Sequence, residues 1–171
     1  MPPRSPLQGP PKVNEDAFLA LTTVGPWVNN ADTKIGLLAT ALTILTTGVV
    51  RQRPRVETLL HRGVHPRGTL SLASLTVCTL MVMLAGYWLF RAFSPRLENP
   101  EPSRFAFPHL AEVDLATLVD ADAAVIRAEA WIQVRTLSRI VLRKYTFFKK
   151  ALGAGFGAGV AFIGWLLLVP A

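Results

Sequence analysis

The sequence has little of what builds an enzyme active site, and three of its longest stretches have no charge at all. It contains one cysteine, so an internal disulfide and a cysteine metal site are both excluded. Cys78 sits inside an apolar run and reads as a small apolar residue. Of three histidines, His61 and His65 are four apart but separated by Gly63 and followed by Pro66, and His109 stands alone, which is not a metal-ligand pattern. There is no G-x-x-x-x-G-K-[ST] loop, no H-E-x-x-H and no C-x-x-C, and no general base can be nominated beside a serine or cysteine. A non-enzymatic role with no metal and no cofactor is expected. Residues 1–12, MPPRSPLQGPPK, lack the apolar core of a signal peptide and read as a disordered Pro-rich tail.

What is present is apolar. Hydrophobic residues make up 51% of the chain and charged residues 17%, and the mean hydropathy is +0.37. The excess lies in Ile35 to Val50, Thr69 to Phe90 and Ala151 to Val169. A helix needs about 20 apolar residues to cross a bilayer. The second and third windows meet that length, and the first does so if the helix also uses Val28 to Lys34. The expected fold is therefore an all-α membrane protein with three transmembrane helices. Against the alternative of buried core helices stands the length of the charge-free runs. The net charge of +7 is read as a record of topology and of attraction to anionic lipid, without implying nucleic acid.

Five segments follow. After the tail, residues 13–27 read as a short amphipathic helix with Asn14 as a cap and Gly25-Pro26 as a break or kink. Residues 28–93 hold the first two spans, joined by RQRPRVETLLHRGVHPRG, whose prolines and glycines predict an Arg-rich loop. Residues 94–150 form the substantial extramembrane segment: a Pro-rich strip, then a long amphipathic helical pattern opened by Asp114 and continuing toward the third span, residues 151–171. Along that helix Ala130, Val134, Leu137, Val141, Tyr145 and Phe148 share one face, with Arg135, Arg139, Arg143 and Lys150 nearly opposite. Acids precede and cations follow, as suits both the helix dipole and an approach to a membrane surface. Three spans put the N-terminus and residues 94–150 on one side, where most of the 18 Lys and Arg also fall, so that side is expected to be cytoplasmic and the membrane the inner (plasma) membrane.

The run ADTKIGLLATA at the mouth of the first span is similar to the ADTKAG-type motif of the Pycsar effector membrane proteins, the PycTM-like family. Pro95-Arg96 after the second span, the aromatic residues Phe105 and Phe107, and the pattern Ser138, Arg139, Ile140, Lys144, Tyr145 before the last span resemble the same family in the same order. The resemblance covers the chain from about Trp27 to its end. It implies a membrane effector of bacterial antiphage defence that responds to a cyclic pyrimidine mononucleotide, cyclic CMP or cyclic UMP, and impairs membrane integrity, leading to abortive infection.

A cyclic nucleotide site has to neutralise one phosphate charge and read a base. Arg139, Lys144 and Tyr145 supply suitable groups, yet one helix cannot enclose a ligand. A site shared with Asn30, Asp32, Lys34 and Arg96, or with a second subunit, is geometrically easier. Asp32 can orient Lys34 or an arginine, and Asn30 can pair with a base edge. The plainer account of Asn29, Asn30, Asp32 and Lys34 is a helix cap plus an interfacial anchor. In the third span Gly153 and Gly157, then Gly155 and Gly159, make interleaved G-x-x-x-G pairs, a spacing that favours close helix packing within a subunit or in a homo-oligomer. The functional alternative is a structural or scaffolding membrane protein whose basic helix docks a protein partner or anionic lipid.

Overall fold

The computed structural model describes residues 15–61, 66–94, 104–105 and 122–169. Four helices account for nearly all of them: α1 (Glu15–Val50), α2 (Arg53–His61), α3 (Pro66–Phe93) and α4 (Ala123–Leu168). There is no strand among the described residues. Three helical stretches are long and apolar enough to cross a membrane, Glu15–His61, Pro66–Phe93 and Ala123–Leu168. The expected three-span, all-α architecture is the observed one, and the long helix before the third span is continuous with it.

Two sequence expectations differ from the structure. Gly25-Pro26 does not break the chain, because α1 runs through Pro26 without interruption. Proline removes one amide donor from the ladder, a local loss in a helix of 36 residues. In the turn before it, the hydroxyls of Thr22 and Thr23 both donate to the carbonyl of Leu19, at 2.9 and 2.7 Å. The Arg-rich connection, expected to be a loop, contains α2. The Gln52 carbonyl accepts the first bond of that helix from the Val56 amide at 3.1 Å, leaving Pro54 in the first turn, where no amide donor is required. Arg53 and Glu57 then pair one turn apart at 3.1 Å. The Pro-rich tail, Asn14, Asp114, Phe107 and the Pro95-Arg96 pair lie outside the described residues.

The chain divides into two compact units: Met1–Asn30 with Arg96–Leu142, and Ala31–Pro95 with Arg143–Ala171. In the first, Phe18 meets Phe105 edge-on at 5.8 Å. Arg104 gives both its amide and its guanidinium Nε to Glu129 Oε2, at 3.1 and 2.8 Å.

The second unit holds the apolar windows. Its core is small-residue packing: Ile35 and Leu42 of α1, Ala85, Leu89 and Ala92 of α3, and Ala151 and Ala154 of α4. Along α4 the buried stripe continues to Ala158 and Trp165, spaced by four and seven. Lipid tails are as apolar as leucine, so spans associate through close packing, and alanine lets backbones approach. Large apolar side chains such as Leu37, Ile44, Met83, Phe90, Phe156 and Leu167 point outward. On a water-soluble protein that surface would be an aggregation patch; in a bilayer it is the lipid-facing side.

Hydroxyls in these spans need partners too. Thr40, Thr43, Thr46, Thr47, Thr76 and Thr79 each donate to the carbonyl four residues back. Ser74 is different, donating across to the Ala161 carbonyl of α4 at 2.7 Å. Gly164 makes room for it, since a Cβ there would lie 3.1 Å from Ser74 Oγ.

Candidate functional site

The polar cluster forms because α1 enters the second unit with charged residues on both sides of a buried stripe. Ala31 and Ile35 are buried and one turn apart, which places Asp32 on one flank of the stripe and Lys34 on the other. On α4, Lys144 and Tyr145 stand two turns before the buried Ala151. The result is two contacts. Lys144 Nζ donates to Asp32 Oδ1 at 2.5 Å, and Lys34 Nζ lies 5.3 Å from the centre of the Tyr145 ring. Among the described residues Asp32 therefore pairs with a lysine of the last helix, where the sequence allowed it to orient Lys34 or an arginine.

The two contacts differ in their exposure to water. The Asp32 and Lys144 side chains are 41% and 22% exposed, so their attraction is partly screened. The Tyr145 hydroxyl is buried and has no hydrogen-bond partner among the described residues. A buried hydroxyl left without a partner costs about 1–3 kcal/mol. Lysine ammonium, carboxylate and phenol are thus gathered at one end of the spans, with an anion-attracting cation (Lys34) beside the Tyr145 phenol.

Four of the sequence-predicted site residues, Asp32, Lys34, Lys144 and Tyr145, come together. Asn30 and Arg139 belong to the first unit, where both are exposed, and Arg96 lies outside the described residues. The glycines of the third span divide. Gly155 faces Leu42 and Leu38 of α1, Gly157 faces Met81 of α3, and among the described residues nothing lies within 4 Å of a Cβ position at Gly153 or Gly159. Among the described residues no group of three or more His, Cys, Asp or Glu side chains can hold a metal ion.

Sequence reasoning passed over a second group. Trp88 and Phe147 stack with centroids 5.8 Å apart, Lys150 Nζ lies 4.4 Å from the centre of the Trp88 ring, and Arg91 Cζ lies 5.8 Å from that of Phe147. The signal was present in composition: Trp-Leu-Phe-Arg closes the second apolar window and Phe-Phe-Lys-Lys precedes the third, and aromatic and basic residues mark membrane interfaces.

Compared with known proteins, residues 16–170 match the family model described as the Pycsar effector protein domain. No curated protein and no solved structure matches.

Proposed function

We propose a function from one premise: the chain belongs to the Pycsar effector protein family. Membership supports a membrane effector of Pycsar antiphage defence, and three apolar helices support a multi-pass membrane protein. The finer reading is ours. The protein sits in the bacterial inner membrane with its N-terminus and residues 94–150 in the cytoplasm, senses a cyclic pyrimidine mononucleotide, and responds without catalysis by impairing the bilayer.

The observation that carries the sensing step is the cluster of Asp32, Lys34, Lys144 and Tyr145. A bound cyclic phosphate offers Lys34 a counter-charge and the Tyr145 hydroxyl an acceptor. It also competes with Asp32 for Lys144. Because that ion pair joins α1 to α4 next to the small-residue core, exchanging it for a ligand contact biases how the spans pack. In a homo-oligomer the same shift opens a leak between subunits.

The test is dye release from liposomes holding the full-length protein, with cyclic CMP, cyclic UMP, cyclic AMP and cyclic GMP added in turn. Leakage that rises only with a cyclic pyrimidine nucleotide, and is lost in Lys34→Ala while insertion is kept, supports the reading. Leakage indifferent to all four, together with no binding, overturns it.

A further inference from the structure

Beside the sensing cluster lies the Trp88–Phe147 stack, with Tyr87 edge-on to Trp88 at 5.1 Å and the cations of Arg91 and Lys150 over the two stacked rings. A ring face holds a cation from one side without neutralising it. The N–H groups turned away from the ring still need an acceptor, and the charge still needs a counter-ion.

Among the described residues the protein does not supply one. The carboxylates of the second unit are Asp32 and Glu57, and both are engaged, Asp32 by Lys144 and Glu57 by Arg53. Among the described residues no acidic side chain pairs with Arg91 or Lys150. Their height in the membrane is fixed by sequence: Arg91 follows the window that ends at Phe90, and Lys150 precedes the one that begins at Ala151. Both therefore stand at headgroup level on the same side of the bilayer.

The geometry points to a site for the phosphate headgroup of an anionic phospholipid, shared by Arg91 and Lys150, with the upper part of the lipid lying against the Trp88–Phe147 stack. A free phosphate would use the two cations but leave the aromatic floor uncovered; a lipid uses both. This site does not depend on cyclic nucleotide sensing, because none of Asp32, Lys34, Lys144 or Tyr145 belongs to it.

The test is native mass spectrometry of the full-length protein in detergent with equal amounts of phosphatidylglycerol and phosphatidylcholine, reading the ratio of the two lipid adducts. Wild type should favour phosphatidylglycerol. A cation near a membrane surface is worth about a fivefold change in affinity for anionic lipid at low salt, so Arg91→Gln and Lys150→Gln should each lower the ratio by about three- to fivefold. Lys150→Arg should keep it, and Trp88→Leu, which removes the floor but no charge, should fall between. Arg53→Gln with Arg55→Gln, at the opposite ends of the spans, should leave it unchanged. Should Arg91→Gln fail to insert, Lys150→Gln reads the same ratio alone. A ratio unmoved by Lys150→Gln, or lowered equally by the Arg53/Arg55 pair, overturns the site. Displacement of phosphatidylglycerol by inorganic phosphate at constant ionic strength overturns the lipid assignment in favour of a free anion.

Discussion

Lys144 Nζ stands 2.5 Å from Asp32 Oδ1 across 112 positions of sequence, and this ion pair ties the first helix to the last where both meet the apolar core. Both side chains are partly exposed, so the pair is worth about 0.5–1 kcal/mol to stability. Lys144→Gln and Asp32→Asn are expected to lower the melting temperature only slightly. Exchanging the two residues, Asp32→Lys with Lys144→Asp, should restore melting but not nucleotide-dependent leakage. If the exchanged protein leaks like wild type, the pair is structural and takes no part in sensing.

Tyr145→Phe separates stability from response in another way. It removes a buried hydroxyl that has no partner among the described residues while keeping the ring beneath Lys34. The expected melting temperature is unchanged or higher, by up to about 1 kcal/mol of stability, since an unsatisfied group is deleted. Nucleotide binding, measured by calorimetry on the solubilised protein, should weaken about tenfold for the loss of one hydrogen bond to a charged group. Full-strength binding would remove the hydroxyl from the site.

Gly164→Ala and Gly159→Ala test packing within and between chains. A Cβ at Gly164 would crowd Ser74 Oγ at 3.1 Å, and that hydroxyl is held in place by its bond to the Ala161 carbonyl. The expected cost is about 1 kcal/mol, the order of one interhelical bond in a membrane, seen as a lower unfolding midpoint in denaturing detergent. Among the described residues nothing lies within 4 Å of a Cβ at Gly159. Gly159→Ala should therefore leave the midpoint alone, and a change in cross-linked oligomer under that substitution would place Gly159 against a second copy.

Glu129→Gln probes the first unit. Glu129 accepts two charge-assisted bonds from Arg104, one from the backbone amide and one from the guanidinium, the latter an ion pair. The amide analogue keeps an acceptor and loses the charge, at a cost of about 1 kcal/mol. Hydrogen exchange at Arg104 and Phe105 should quicken, with no change in the spans Pro66–Phe93 or Ala151–Leu168.

The spans were legible because charge-free runs of that length leave the chain few choices. Gly25-Pro26 did not bring the break that was one of its two readings, since a proline reports the loss of one donor locally while helix continuity is decided by the many bonds on either side. The Arg-rich connection misled for a related reason: Pro54 is a helix breaker inside a helix and a neutral residue in its first turn. At the site, the residue types at Asp32, Lys34, Lys144 and Tyr145 were readable, but their pairing was not. Asp32 has many basic residues to choose from, and only the packing of α1 on α4 selects Lys144. The Trp88–Phe147 patch was written in two short aromatic-basic clusters whose meaning emerges once α3 and α4 are neighbours.

The threonines of the first span bear on the bilayer impairment proposed above. Thr40, Thr43 and Thr47 are exposed, and each turns its hydroxyl back onto its own helix. Facing lipid, the helix thus shows methyl groups and hides its polarity. Facing water, the same hydroxyls can rotate outward, exchanging one hydrogen bond for another of similar strength. The span is compatible with both media without refolding, which is what the proposed leak requires of a surface that begins as a wall against lipid.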